Sequence, residues 1–226
     1  MAFSKIAAEN LGGSTLPAVS AANLTAVPAA NITGTLPAIS GANLTGISSA
    51  FVQTGRVLLG SNTSITLDNC FTSSYENYLM VLSDINATAD SQGLYMRFRT
   101  GGSSGSTDSV SQYRYGCRYF DDDGSVSSNT GVDQSRFQLA DDSEESADWK
   151  GYNGTFTVYQ PQLNTSTRMT GHGSFVRNTA SDEDIVSSHN AMHYDSDVQH
   201  TGIYLYYGSG DIRSGASVTV WGINTT

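Results

Sequence analysis

The sequence predicts an all-β chain: a short leader (1–15), a slender repeat shaft (16–50), and an antiparallel β-sandwich or jelly roll (51–226). Three observations lead there. The phrase Leu16-Pro-Ala-Val-Ser-Ala-Ala-Asn-Leu-Thr-Ala-Val27 returns as Leu36-Pro-Ala-Ile-Ser-Gly-Ala-Asn-Leu-Thr-Gly-Ile47, offset by 20 residues with only Val/Ile and Ala/Gly exchanges. Beyond residue 50, short alternating apolar stretches follow one another, bounded by Gly, Asn, Asp and Ser. No long stretch keeps the 3.6-residue period of an amphipathic helix.

The large apolar residues of the repeat are Leu16, Val19, Leu24, Val27, Ile32, Leu36, Ile39, Leu44 and Ile47. Their spacing fits neither one helix face nor a strict period of two. Pro17, Pro28 and Pro37 would break a helix and remove donors from a central strand. One copy of this segment has too little apolar surface to offset the entropy of ordering it. Three chains wound round one axis could bury the aliphatic stripe, so the expectation is an intertwined homotrimeric shaft. A flexible linker is the alternative, but a linker has no need of aliphatics in register.

In the C-terminal part, strands are expected at Ser64–Leu67, Tyr78–Ile85, Leu94–Arg99, Val110–Phe120 and Ser135–Leu139. More follow at Gly154–Gln160, Arg168–Val176, Gly202–Tyr207 and Ala216–Ile223. Alternation places Leu94, Met96 and Phe98 on one face of their strand, and Ile203, Leu205 and Tyr207 on one face of theirs. Phe51–Gly60 marks the change of composition, Thr100–Asp108 is a loop, and a polar connection separates Phe120 from Ser135. Short strands with Gly-rich turns argue for two packed antiparallel sheets.

Charge narrows the function classes. The chain carries −10, with Lys5 and Glu9 cancelling before residue 50 and 10 basic against 20 acidic groups after it. Nine scattered arginines in an acidic chain form no stripe, so nucleic-acid binding is not expected. The N-terminus lacks the charged start and apolar core of a signal peptide, and Tyr78–Leu82, the longest apolar run, is far short of a membrane span. Cys70 and Cys117 could pair, but two cysteines are no disulfide framework, and two free buried thiols are the expectation.

Candidate chemistry is thin. His189 and His193, followed by Asp195, Asp197 and His200, have metal-like residue types, yet their surroundings read as loop and strand with no catalytic Glu. Asp121-Asp-Asp-Gly124 lacks the alternating ligands of a calcium loop and reads as a hairpin tip. Asp141–Glu145 and Asp182–Asp184 read as solvated loop charges. No Gly-x-Ser-x-Gly elbow and no phosphate-cradling glycine loop is present. No metal, cofactor or catalytic set is therefore expected.

The repeats at 16–27 and 36–47 resemble the short repeats near the N-termini of tailed-bacteriophage fibre proteins, especially those of marine and cyanobacterial phages. A second similarity, carried by Ile65–Asp68, Ser74–Leu82, Leu94–Arg99 and Gly215–Ile223, is to β-sandwich knobs that follow such shafts. The resemblance implies a homotrimer located in the virion. Residues 1–15 would dock onto other virion proteins, and the knob would contact the host surface through glycan, without enzymatic activity or membrane insertion. The axial His-x-His iron motif of some fibres is absent here. A trimeric capsid decoration or head fibre has the same build; a secreted adhesin would need an export signal, and a glycan depolymerase a long β-helix. Fibre knobs meet receptors on loops, and Tyr119–Gly124 and Glu144–Tyr152 combine acids with aromatics. Asp121, Asp122, Asp123 and Tyr152 are thus expected at the receptor footprint, with Trp149 and Tyr152 alternatively core residues at the start of a strand.

Overall fold

The structure, a computed structural model, describes residues 49–89, 91–143, 151–179 and 182–224. The leader, the shaft stripe from Leu16 to Ile47, and Trp149 lie outside the described residues. The chain divides between Ile47 and Ser48, and the unit from Ser48 onward is considered by itself.

Among the described residues, thirteen strands form the unit. They are β1 (Phe51–Leu58), β2 (Ser64–Leu67), β3 (Asn77–Ile85), β4 (Gln92–Thr100), β5 (Ser106–Thr107), β6 (Tyr113–Asp121) and β7 (Val126–Gln134). After these come β8 (Phe137–Ser143), β9 (Tyr152–Tyr159), β10 (Thr167–Thr179), β11 (Asp182–Tyr194), β12 (Gly202–Tyr207) and β13 (Ser217–Ile223). All pairings are antiparallel. The large sheet runs β1-β13-β3-β9-β10-β11-β6-β7; the small one runs β8-β4-β12-β2, with β5 beside β4. A single pair, Arg177 with Ser143, joins them at one corner. The all-β, sandwich-like architecture read from the sequence is therefore present.

Alternation builds the core between the two sheets. Tyr78, Met80 and Leu82 on β3, Leu94, Met96 and Phe98 on β4, and Val218 and Val220 on β13 are buried, each separated by an outward residue. Phe98 lies at the centre, edge-on to Phe71, Phe137 and Tyr194 and stacked on Tyr113 and His200. The buried tyrosines bring their own partners: Tyr113 donates to the Asp108 carbonyl at 2.8 Å, and Tyr207 to that of Ile85 at 2.6 Å. Cys70 and Cys117 are free and buried, and burial pushes both thiols up to about 12.

Three stretches correct the sequence reading. Phe51–Leu58 is not only a boundary but strand β1 at the edge of the large sheet. The polar connection after Phe120 contains β7, an edge strand in which Gly131 alone is buried. Asp182–Tyr194, expected as loop with some strand, is a continuous thirteen-residue strand paired to β10 and β6.

Tyr152 is the fourth correction. Its side chain is fully buried, stacked on Phe156 with ring centres 6.4 Å apart and tilted against Phe175 at 6.0 Å. Gly173 makes room for it, since a Cβ there would lie 2.3 Å from the tyrosine oxygen. Tyr152 is a core residue at the start of its strand, the alternative position read for it from the sequence.

Strand direction sets the two ends of the sandwich. The chain enters β1 at Phe51, in register with Ile223, Asn77, Tyr159, Arg168, His193 and Arg114. The turn between β6 and β7, carrying Asp122 and Asp123, lies at the opposite end.

Candidate functional site

Two surfaces bear on function: the acidic turn expected from the sequence, and the outer face of the large sheet. At the turn, Gly124 adopts φ of 87°, a conformation that suits glycine, and its N–H donates to the Asp121 carbonyl at 3.0 Å. The three aspartates there do different things. Asp121 is 6% exposed and accepts from Arg177 through both oxygens at 3.2 Å and from the Ser125 hydroxyl at 2.7 Å. Arg177 also donates to Asp141 at 3.0 Å, so Asp121 belongs to a structural ion-pair cluster.

Asp122 and Asp123 are exposed. The Ser125 backbone N–H, then its hydroxyl, hold Asp123 below the usual carboxylate range. Asp184 is raised, first by desolvation and then by repulsion from Asp122, Asp123 and Asp121. An acidic turn organised round the Arg177 guanidinium is the result, and Tyr152, expected beside it, lies in the core instead.

The histidines separate as well. His200 is fully buried at the other end, with Nδ1 3.1 Å from the Thr167 hydroxyl and Nε2 4.0 Å from Asp108. Tyr194 donates its hydroxyl to the same Asp108 carboxylate. Burial lowers His200 to about 4, only partly opposed by Asp108. His189 and His193 instead share the outward face of β11. Among the described residues no three His, Cys, Asp or Glu side chains gather as a metal-binding group.

The outer face of β6, β11, β10 and β9 has an order that none of these strands shows alone. Register places Arg118, His189, His172 and Thr155 in one row across the four strands. The next row is Gly116, Ala191, Thr170 and Thr157; the third is Arg114, His193, Arg168 and Tyr159. Small residues therefore form a floor between two rows of long ones, which makes a shallow groove running across the strands. Two concavities of about 500 and 640 Å³ lie along it and share Thr170. The larger is also lined by Asn77, Gln160, Thr165 and Ser166.

The groove is polar and basic on an acidic protein. Three of the nine arginines and three of the four histidines stand in its walls. Arg114 is paired with Asp133 at 3.1 Å and Asp195 at 3.3 Å, whereas Arg118 and Arg168 meet no carboxylate among the described residues. The His172 and His189 rings are 6.4 Å apart, and the Phe120 ring stands edge-on 5.3 Å from His189. Tyr159, with its oxygen 3.2 Å from the Thr170 hydroxyl, closes one end.

Sequence reading missed this surface and called the arginines scattered. A signal was available: Arg114-x-Gly-x-Arg118, Arg168-x-Thr-x-His172 and His189-x-Ala-x-His193 each place a small residue between two long basic ones at strand spacing. Their alignment into rows depends on register, which no single segment contains. Comparison with known proteins returns no matching family model, no matching curated protein and no matching solved structure.

Proposed function

We propose that this chain is a non-enzymatic virion fibre protein, in which residues 16–50 form a three-chain shaft and the sandwich contacts glycan on the host surface. The observation that carries this reading is the twelve-residue aliphatic phrase, written twice immediately before an independent all-β unit. A stripe that one chain cannot bury calls for association, and association of the repeat would present several sandwiches side by side. Residues 1–15 would then attach the assembly to its neighbours in the particle.

The reading is tested by mass spectrometry of gradient-purified virions together with sedimentation of the recombinant full chain. The expected result is recovery of the chain from virions and a mass of three chains in solution. Absence from virions, or a stable monomer at micromolar concentration, would overturn it.

A further inference from the structure

The groove on the outer face of the large sheet makes a more specific statement about ligand chemistry. Its charge is opposite in sign to that of the protein as a whole, which carries −10. Two guanidiniums that meet no carboxylate among the described residues, Arg118 and Arg168, lie in opposite walls. From strand spacing and rise, their Cα atoms are roughly 16 Å apart, so one compact anion cannot satisfy both. The floor, one wall and the far end supply hydroxyls (Thr157 and Thr170, Thr155, Ser166) and amides (Asn77, Gln160), which suit a ligand rich in hydroxyl groups. The half-exposed Tyr159 ring offers an apolar face for the C–H side of a sugar.

We infer that this groove binds an oligosaccharide bearing carboxylates on separated sugars, an inference that rests on the attachment reading above. Arg118 and Arg168 take carboxylates of sugars some distance apart along the chain, and guanidinium geometry suits that group bidentately. Imidazole N–H groups of His172 and His189 donate to oxygens between them, and the small floor of Gly116, Ala191, Thr170 and Thr157 leaves room for the rings. Nucleic acid fits less well. Its closely spaced phosphates would meet an acidic protein in which only two groove arginines lack a carboxylate partner among the described residues. The contact is made on the outer face of the large sheet, beside the acidic turn rather than at it.

The test is calorimetric titration of the recombinant full chain with two probes, a hyaluronan octasaccharide and an oligogalacturonate. Controls are the hyaluronan probe with its carboxylates reduced to alcohols and an eight-nucleotide single-stranded DNA. At least one acidic saccharide is expected to bind, and reduction of the hyaluronan carboxylates, or the double variant Arg118→Gln with Arg168→Gln, to weaken its binding at least tenfold. The melting temperature of that variant should match wild type, and Asp122→Asn with Asp123→Asn should bind as wild type does. No binding of either acidic probe at millimolar concentration would overturn the inference, as would equal binding by the double variant, equal binding of the reduced probe, or tighter binding of the DNA. Because binding is read without virions, a chain absent from virions that still binds sinks the fibre reading alone. A virion-borne chain that does not bind sinks the groove alone.

Discussion

On β9 and β10, consecutive residues belong to different problems. Facing inward are Tyr152, Phe156, Val158, Met169 and Phe175, all buried; facing outward are Thr155, Thr157, Arg168, Thr170 and His172. The inner set is large and apolar and meets the small sheet. The outer set is hydroxylated or basic and meets solvent. Because the side-chain period of a strand is two, either set can change without touching the other. Stability is thus concentrated on one face, and the capacity to bind can be built on the other. This separation can be challenged by substitutions on each side.

The largest effect is expected inside. Replacing Tyr152 by Ala removes a fully buried ring that touches Phe156 and Phe175 and leaves the Ser188 hydroxyl, 3.3 Å from the tyrosine oxygen, without that partner. Gly154 and Gly173, the small residues under the ring, cannot fill the space. Loss of a large aromatic from a core costs about 3–5 kcal/mol. Chemical denaturation should show it as a lower midpoint with an unchanged slope. A loss below 1 kcal/mol would mean that Tyr152 is not in the core.

His200 sharpens the same comparison through pH. In the core its proton affinity is lowered from 6.5 to about 4, while the unfolded chain retains the ordinary value. The unfolded state then binds a proton that the native state refuses. The contribution is fully present above pH 6.5 and is lost as pH falls from 6.5 to 4. A shift of this size amounts to roughly 3 kcal/mol across that window. Many carboxylates titrate nearby, so the measurement is a difference: stability at pH 7 minus stability at pH 4 should be smaller in His200→Gln than in wild type. Equal losses in the two proteins would place His200 in contact with water.

How far the sequence revealed this follows from the same period of two. Alternation places Leu94, Met96 and Phe98 on one face of their strand, and Ile203, Leu205 and Tyr207 on one face of theirs; the structure shows that each of these faces is buried in the core. β11 escaped because its inward set mixes Val186, Met192 and Tyr194 with Ser188 and Asn190. The Asn190 amide donates to the Ser188 hydroxyl at 3.1 Å, and that hydroxyl meets Tyr152, so polar partners on the inner face of the same sheet replace the apolar signal that periodicity detects. β7 escaped because an edge strand exposed along its length needs no apolar face. Tyr152 was misplaced because it follows an acidic stretch, which reads as loop until the strand after it is seen to begin at that residue. The groove rows were out of reach for a different reason: they join residues 114, 159, 168 and 193, whose proximity is fixed by long-range register.

The smallest effect belongs to a pair of opposite exchanges at neighbouring positions. Thr157 and Val158 are consecutive on β9, nearly equal in size, and point to opposite faces. Val158→Thr puts a hydroxyl into a fully buried site between apolar neighbours, with an expected cost of about 1–3 kcal/mol. Thr157→Val makes the reverse exchange on the half-buried groove floor, where the methyl and hydroxyl faces are both tolerated and the β-branch is kept. Its stability should lie within about 0.5 kcal/mol of wild type. The second exchange nevertheless removes one hydroxyl from the groove floor, so acidic-oligosaccharide binding should weaken while the denaturation curve stays in place. If Thr157→Val instead destabilises the chain as much as Val158→Thr, the outer face is part of the folding core, and the separation of stability from binding across this sheet is wrong.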